Sequence, residues 1–257
     1  MENNNPTLWK DVLPRPKAEG HKYDRGWCVV IGGRMLTGAA RLACEAASRI
    51  GAGLTTLIAP ADIAPIYRAA LPAHIMVEDE TGDRCSQLQD PRRNALVLGP
   101  GYGPDAAGIR GWLAARGPQS MVLDADGLNH LPDLSYLRSG DVLTPHAGEF
   151  KRLFGEITPQ DAARKAKCIV VLKGAQTVIT DGVRSVQNDQ ASPYLASAGT
   201  GDVLAGIIGG LLAQKMPAFE AACAAVWIHG QAGKAIGAGL VASDIPDAIP
   251  AVLKSLA

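Results

Sequence analysis

The residues best suited to chemistry are a Gly-Thr-Gly-Asp sequence at positions 199 to 202, which leads directly into an apolar run ending at Leu212. Glycine lets a backbone turn tightly and approach a ligand closely, because it has no Cβ. The first turn of a helix has unpaired N–H groups and the positive end of the helix dipole, so it binds anions such as phosphate. We therefore predict that Gly199, Thr200 and Gly201 bind phosphate, with Asp202 beside the bound group.

Asp202 lies at the point where the first turn of the predicted helix begins. A carboxylate at a helix N-terminus is held ionised by the dipole, which predicts a low pKa and a poor base toward an alcohol in its ground state. The alternative is that Thr200 or Asp202 only caps a buried helix.

Short apolar segments alternate with helical patterns along most of the chain, which predicts a mostly parallel sheet covered on both faces. The predicted strands are residues 27–31, 54–59, 74–77, 95–98, 121–123, 142–143 and 169–172. The predicted helices include residues 37–49, 62–71, 105–116 and 159–167. Two further short strands, 178–180 and 184–186, are separated by Asp181-Gly182 and predict a hairpin.

Polar or glycine-rich loops follow five of the predicted strands. These loops are residues 32–34, 99–103, 124–127, 144–149 and 173–177. Ligands of parallel sheets bind at the carboxyl ends of the strands, so we expect the five loops to meet in one cleft.

Two common nucleotide-binding motifs are missing from the sequence. Gly33 and Gly38 have the glycine spacing of a P-loop, but Ala39-Ala40 replaces the required Lys-Ser/Thr. No G-x-G-x-x-G follows a predicted strand, so the Rossmann fingerprint is also missing. Phosphate binding is therefore assigned to residues 199–202.

The composition limits the class of protein. With 47% hydrophobic and 19% charged residues, the 257-residue chain can form a sizeable core. Basic and acidic residues balance at 25 each without a long basic run, which argues against nucleic acid as a partner. The five scattered cysteines favour a reducing cytoplasm, and no segment predicts a signal peptide or a membrane span. We expect one domain over residues 1–257, with a loose arm over residues 1–25.

Taken together, the motifs resemble those of a known family. The Gly-Thr-Gly-Asp loop resembles the anion hole of ribokinase-like small-molecule kinases. The further motifs are Gly99-Pro-Gly-x-Gly103, Thr144-Pro-His-x-Gly-Glu149, Lys173-Gly174 and the sequence Ala-Gly-Thr-Gly-Asp-Val-Leu-Ala-Gly at 198–206. Over about residues 8 to 255 the chain is similar to ADP/ATP-dependent NAD(P)H-hydrate dehydratases.

The resemblance implies a fold, a reaction and an assembly. The fold would be a ribokinase-like three-layer α/β/α sandwich, and the protein a homotetramer. The reaction would be the dehydration of the S epimer of NAD(P)H hydrate, in which a phosphoryl group is transferred to the ring hydroxyl and phosphate is then lost. ADP or ATP would be the phosphoryl donor, with Mg²⁺, and we favour ADP although no residue decides between them. An epimerase would be a separate protein.

The resemblance also implies roles for individual residues. The nucleotide would be bound by Lys173, Gly174, Ala175, Gln176, Thr177, Gly199, Thr200 and Gly201. The hydrated substrate would be bound by Ala39, Gly103, His146 and Asp202. Asp202 would be the catalytic residue: it would orient the reacting hydroxyl and accept its proton late in the phosphoryl transfer. Related kinases have Asn-x-x-Glu near magnesium, and His146-Ala-Gly-Glu149 keeps only the Glu, so Glu149 would organise Mg²⁺ through water.

Structural interpretations of the same residues stay open. His146 and Glu149 both suit the first turn of a helix, and Lys173 could solvate the end of a strand. Asp124 and Asp126 are more simply explained as turn residues, and His229 as a packed helix histidine. Two other functions also remain: a vitamin-type kinase of the same fold, whose product keeps its phosphate, and a nucleotide sensor without catalysis.

Overall fold

The computed structural model describes residues 1–256, which form a ten-stranded sheet. Its strands are β1 (Glu2–Asn3), β2 (Trp27–Ile31), β3 (Leu54–Ala59), β4 (Met76–Asp79), β5 (Arg93–Leu98), β6 (Ser120–Leu123), β7 (Val142–Leu143), β8 (Ile169–Leu172), β9 (Thr177–Thr180) and β10 (Ser185–Asn188). Their order across the sheet is β1-β10-β9-β8-β7-β6-β5-β2-β3-β4. All pairs from β8 to β4 are parallel, and β9 is antiparallel to both β8 and β10. The predicted parallel sheet and its hairpin are confirmed.

Helices cover both faces of this sheet. They are α1 (Thr37–Arg49), α2 (Ala64–Ala70), α3 (Arg84–Leu88), α4 (Ala106–Ala115), α5 (Asp126–Asn129), α6 (Ala147–Phe154), α7 (Pro159–Ala166), α8 (Thr200–Ala213), α9 (Ala218–Ile236) and α10 (Asp244–Lys254). Three helices were not predicted: α3, α5 and α10. The segments of α3 and α5 are too short to show a clear periodicity.

Alternate residues of the central strands face two separate cores. In β2, Val29 and Ile31 belong to the core that contains Trp112 of α4. Cys28 and Val30 belong to the other core, which contains the apolar side chains of α1, α8, α9 and α10. Because successive side chains of a strand point to opposite faces, one apolar strand supplies both cores.

Helix α8 is buried on nearly every side, which explains why its sequence is apolar throughout. Every residue from Val203 to Ala213 is buried. Glycines let the helix approach its neighbours closely: a Cβ at Gly206 would lie 2.2 Å from the carbonyl oxygen of Ala43 on α1, and one at Gly210 would lie 2.3 Å from Cγ2 of Ile50. The first turn of α8 is therefore supported by a closely packed helix pair.

Substituting Gly206 with valine should destabilise the protein by about 3 kcal/mol, because overpacking forces the two backbones apart. The free energy of unfolding, measured in urea, tests this. Gly38→Ala on α1 is the matched control, because a Cβ there meets no atom within 4 Å. The control should be neutral or stabilising, since alanine has the higher helix propensity. An equal decrease in the free energy of unfolding of the two variants would contradict the packing argument.

Residues 2–9 pack against the rest of the protein, unlike the loose arm that the sequence predicts over residues 1–25, whereas residues 10–25 are exposed or half-buried. Residues 2–3 pair with β10, and the Asn4 amide donates to the carbonyl of Cys223 on α9 at 2.7 Å. The Trp9 side chain is 1% exposed and contacts Trp227 edge-on, with ring centroids 5.6 Å apart. Burial of the indole outweighs the cost of ordering this segment. Its partners lie far away in the chain, so local composition could not reveal them.

Residues 1–256 contain no helix that is both long and apolar enough to cross a lipid bilayer.

Candidate active site

The five predicted loops lie at the carboxyl edge of the parallel strands and contact one another. Loop 99–103 joins loop 124–127 where the Gly103 N–H donates to the Asp126 carboxylate at 2.7 Å. A β-bridge between His146 and Lys173 joins loop 144–149 to loop 173–177. At this bridge the backbone N–H of Lys173 donates to the carbonyl oxygen of Pro145 at 2.8 Å. The edge of the sheet thus forms one continuous polar cleft.

Loop 32–34 and the start of α1 complete the cleft on the β2 side. The Leu36 N–H donates to the carbonyl of Gly101, and a Cβ on Gly101 would lie 2.9 Å from that of Ala39. A Cβ on Gly103 would lie 2.6 Å from Cγ of Met35. The predicted substrate residues Ala39 and Gly103 are therefore on adjacent segments, beside the exposed apolar side chains of Met35 and Leu36.

An ion pair between Lys173 and Asp124 lies at the centre of the cleft. Lys173 Nζ is 2.6 Å from Asp124 Oδ1, and the Thr144 hydroxyl donates to the same oxygen at 2.8 Å. Asp124 is only 2% exposed, so the ammonium and the hydroxyl compensate a charge that would otherwise be costly to bury. The sequence favoured a turn role for Asp124, whereas the structure makes it the partner that positions Lys173.

The turn between Asp124 and Asp126 is strained. Ala125 has φ 46° and ψ −116°, a conformation that side-chain-bearing residues rarely adopt and that costs on the order of 1–3 kcal/mol. A Cβ on Gly99 (φ +123°) would lie 1.9 Å from the carbonyl oxygen of Asp124, so only glycine fits against this turn. The strained turn lets Asp124 pair with Lys173 while Asp126 binds the Gly103 N–H.

The first turn of α8 faces the Lys173 ammonium. Gly199 precedes the helix with φ +90°, and a Cβ on Gly201 would lie 3.3 Å from Lys173 Nζ. Within residues 1–256 no side chain caps this helix start. The Thr200 hydroxyl instead donates to the carbonyls of Leu195 and Ser197, so the capping interpretation of Thr200 and Asp202 has no support in the hydrogen bonds. Backbone N–H groups and an ammonium together form a site for an anion.

The pKa of Asp202 is raised to about 7, and the sequence-based prediction of a low pKa is wrong. Burial is the largest cause, followed by repulsion from the Asp124 carboxylate, while Lys173 lowers the pKa and Asp126 raises it further. Desolvation and like charges thus outweigh the helix dipole. A carboxylate with a pKa near 7 is a better general base than the sequence implied.

His146 and Glu149 form a reciprocal cap at the start of α6. The Glu149 carboxylate accepts from the His146 N–H at 2.8 Å, and His146 Nδ1 accepts from the Gly148 N–H at 3.0 Å. His146 and Glu149 therefore both stabilise the first turn of a helix, as the structural interpretation of each residue predicted. The His146 side chain is still 60% exposed, so its ring remains open to a ligand.

A cavity of about 570 Å³ adjoins this anion site. Six of the predicted nucleotide residues line it: Lys173, Gly174, Ala175, Thr177, Thr200 and Gly201. Gln176 and Gly199 lie outside its wall. The cavity also has an apolar side that includes Leu195, Leu204 and Val226. Three further polar residues line it that the sequence did not assign to the nucleotide: Asn188, Ser192 and His229. Its size and mixed lining suit a small polar ligand with a flat apolar part.

The described residues, 1–256, hold no group of three or more His, Cys, Asp or Glu side chains arranged for a metal ion. Mg²⁺ commonly binds through one or two carboxylates together with substrate phosphates, rather than in a cage made only of protein. The buried Asp124 carboxylate beside the anion site fits that kind of shared site.

Comparisons with known proteins agree with this geometry. A family profile described as "NAD(P)H-hydrate dehydratase" matches residues 27–251. The ADP-dependent (S)-NAD(P)H-hydrate dehydratase of Neisseria meningitidis is 37% identical over 257 aligned residues, which cover 90% of this chain and 86% of the relative. The chain spans about half the length of several bifunctional NAD(P)H-hydrate repair enzymes that it also matches.

Two solved structures resemble the whole chain. A ribokinase-like superfamily protein from Enterococcus faecalis superposes with a TM-score of 0.90 at 28% identity, covering 100% of this chain and 96% of the other. An ADP/ATP-dependent NAD(P)H-hydrate dehydratase from Bacillus subtilis, co-crystallized with ATP/Mg²⁺, superposes with a TM-score of 0.85 at 26% identity, covering 100% and 99%. The ribokinase-like fold predicted from the motifs is confirmed.

Proposed function

We infer the function from one premise: the chain belongs to the NAD(P)H-hydrate dehydratase family. We propose that it dehydrates the S epimer of NAD(P)H hydrate at the expense of ADP. The observation that carries this proposal is the anion site between the first turn of α8 and the Lys173–Asp124 pair, with Asp202 beside it.

The reaction begins with activation of a poor leaving group. Asp202 orients the ring hydroxyl of the hydrate and accepts its proton as that oxygen attacks the terminal phosphorus of ADP. Gly201 and the neighbouring N–H groups bind the phosphoryl oxygens, and Lys173 neutralises their charge. The hydrate becomes a phosphate ester and the nucleotide leaves as AMP. Phosphate then leaves with its C–O bonding electrons and the adjacent ring carbon loses a proton to water, which forms the ring double bond and restores the dihydropyridine, so the net reaction is a dehydration.

Mg²⁺ would enter with the nucleotide and neutralise charge on its phosphates. Asp124 could help to hold it, because Asp124 Oδ2 lies 3.8 Å from the position of a Cβ on Gly201. Glu149 would organise Mg²⁺ through a bound water molecule, although one oxygen of its carboxylate already accepts a hydrogen bond from the His146 N–H.

The other assigned roles follow from the family premise. Ala39, Gly103 and His146 would bind the hydrated substrate on the β2 side of the cleft, and Lys173 to Thr177 the nucleotide. We also propose a cytoplasmic homotetramer that acts together with an epimerase. The small residues of α9 give no support to the tetramer, because Ala221, Ala222, Ala224 and Ala225 are buried within the chain itself.

A product assay tests the proposed function. Purified protein is incubated with the S epimer of NADH hydrate, Mg²⁺ and either ADP or ATP, and the reduced cofactor, AMP and free phosphate are measured. We expect one NADH and one phosphate for each ADP converted to AMP, with ADP preferred to ATP. A phosphorylated product without free phosphate would instead identify a kinase. Nucleotide binding without any turnover of the hydrate would contradict the proposed function.

A further inference from the structure

A second cavity, of about 900 Å³, lies at the amino edge of the parallel strands, opposite the candidate active site. Its wall includes Arg25, two residues before β2, Gly53, the residue before β3, and Lys215, two residues after α8. The first turn of α8 faces the catalytic cleft, and the 14 residues of this helix span about 21 Å. The second cavity, called the amino-edge cavity below, is therefore separate from the cleft and lies at the other end of α8.

The wall of the amino-edge cavity has an excess of positive charge. Five lysine or arginine residues line it against two acidic ones, although the net charge of the whole chain is zero. One of the acidic residues, Asp24, already accepts a hydrogen bond from the His21 N–H at 2.9 Å, and the other is Glu19. The basic residues are Arg15, Lys17, Lys22, Arg25 and Lys215.

Four of these basic side chains have no ionic partner within residues 1–256. Lys17, Lys22, Arg25 and Lys215 take part in none of the ion pairs of the described chain. The fifth, Arg15, donates to the carbonyl of Leu256 at 3.4 Å. Like charges that are brought together in one cavity repel one another, and a bound anion would remove this repulsion.

The backbone that carries these side chains is closely packed. A Cβ on Gly53 would lie 1.8 Å from the carbonyl oxygen of Lys22, and one on Gly26 would lie 1.8 Å from the carbonyl oxygen of the last residue of α8. The Gly53 N–H also donates to the carbonyl of Arg25 at 3.1 Å. The loop over residues 20–26 is therefore held against α8 and β3, which fixes the cavity wall in place.

The C-termini of two helices explain only part of the positive charge. Helices α1 and α8 both end at this edge, where Nε2 of Gln214 donates to the carbonyl of Ile50 at 3.3 Å. Each helix C-terminus carries about −0.5 charge, so the two together compensate about one of the three excess positive charges. About two positive charges remain without a partner in the described chain.

We propose that the amino-edge cavity binds a diphosphate group, either as inorganic diphosphate or as part of a nucleotide. Lysine and arginine bind phosphate oxygens through charge-assisted hydrogen bonds. One phosphate group carries about −1.5 to −2 charges near pH 7, so two linked groups match the excess charge of the wall better than one. A volume of about 900 Å³ is within the range of small-molecule sites and admits either source. This inference is independent of the proposed function, because it concerns other residues at the opposite edge of the sheet.

The first test titrates the unaltered protein with inorganic diphosphate and follows the backbone amides by NMR. We expect saturable shifts of Gly20 and Gly53, which line the amino-edge cavity, in addition to shifts of Gly174 and Gly201 in the active-site cavity. Added salt should weaken the binding seen at Gly20 and Gly53, because exposed charges are screened. The absence of a saturable shift of these two amides at millimolar diphosphate would overturn the proposal.

The second test uses the double variant Lys22→Gln/Lys215→Gln, which removes two of the unpaired cations from exposed positions. The diphosphate concentration that half-saturates the Gly53 shift should rise about tenfold, while the Gly201 titration and the rate of dehydration should stay unchanged. An unchanged Gly53 titration in this variant would overturn the proposal.

Lys165→Gln/Lys167→Gln is the matched control. Both lysines are exposed and form no ion pair within residues 1–256, and Lys167 has a positive φ of 53°, as Lys215 has one of 66°. The control should leave the Gly53 titration unchanged. A weakening equal to that of Lys22→Gln/Lys215→Gln would show a general effect of charge and would overturn the proposal.

A third variant, Glu19→Gln, should act in the opposite direction. It removes an acidic side chain from the wall, so diphosphate should bind to the amino-edge cavity about two- to threefold more tightly. Unchanged or weaker binding would overturn the electrostatic basis of the proposal.

The same titration with ADP distinguishes the two sources of the diphosphate group. Shifts of Gly20 and Gly53 at lower concentrations of ADP than of inorganic diphosphate would identify a nucleotide, and shifts with inorganic diphosphate alone would identify the free anion. Either result retains the proposal. Because no titration contains the hydrated substrate, binding at the amino-edge cavity and dehydration of NADH hydrate can fail independently of each other.

Discussion

Replacing Asp202 with asparagine should lower the rate of dehydration by about 10²- to 10⁴-fold, the usual contribution of a positioned acid–base group. Asparagine has nearly the same shape but cannot accept the hydroxyl proton. The protein should remain folded and should still bind ADP, because the anion site is formed by backbone N–H groups and Lys173. Turnover and ADP affinity are measured on the same preparation, by the product assay and by calorimetry.

Asp161→Asn is the matched control for this substitution. Asp161 is the third residue of α7, as Asp202 is the third residue of α8, but it lies on the surface. It therefore reports any general effect of removing an acid from the first turn of a helix. Near-normal turnover by Asp202→Asn would remove Asp202 from the mechanism.

The activity of the unaltered protein should rise with pH and level off above about pH 7. The pKa of Asp202 is raised to about 7, and the base must be ionised to accept a proton. Below that value a growing share of the protein has a protonated carboxyl, so the rate falls. The pH profile of the Asp202→Asn variant should lack this rise in rate below pH 7.

Replacing Lys173 with methionine should lower turnover by about 10²- to 10³-fold, comparable with the loss of one charge-stabilising donor. The ammonium neutralises the transferred phosphoryl group and also lowers the pKa of Asp202. Without it, that pKa rises above about 7, so the rising limb of the pH profile should move to higher pH. Binding of ADP should weaken as well, since the phosphates lose a cation.

Lys151→Met is the control for the loss of a lysine. Lys151 pairs with Glu156 on the surface, where both side chains are more than two-thirds exposed, and such pairs add little to stability. The Lys151→Met substitution should leave turnover, the pH profile and ADP affinity unchanged. A pH profile of Lys173→Met that coincides with that of the unaltered protein would show that Lys173 does not act on Asp202.

Much of the fold and the edge of the sheet that holds the site could be predicted from the sequence, because these depend on local patterns. The apolar strand over residues 27–31 and the glycines after it appear in the structure as β2 and the loop that follows it. The same holds for the strand before Lys173 and for the helix after Gly199. Periodicity and glycine placement act within a few residues, so one sequence is enough to recognise them.

The state of the groups in the site was decided only by the tertiary structure. Asp124 and Lys173 are 49 residues apart in sequence, and their pairing depends on the order of the strands in the sheet. The pKa of Asp202 could not be predicted from its helix position, because burial and the carboxylates of Asp124 and Asp126 outweigh the dipole.

The N-terminal segment illustrates the same limit. Asn4 lies 184 residues from Asn188, and nothing in the local sequence of either residue indicates that they meet. His229 was interpreted as a packed helix histidine, and it is packed, but its unpaired nitrogen becomes evident only once α9 is placed against the cavity. The chain's local patterns thus determined its elements and the edge where ligands bind. Burial and charge proximity depend on residues far apart in sequence, so only the folded protein determined how those ligand-binding groups are paired, protonated and oriented.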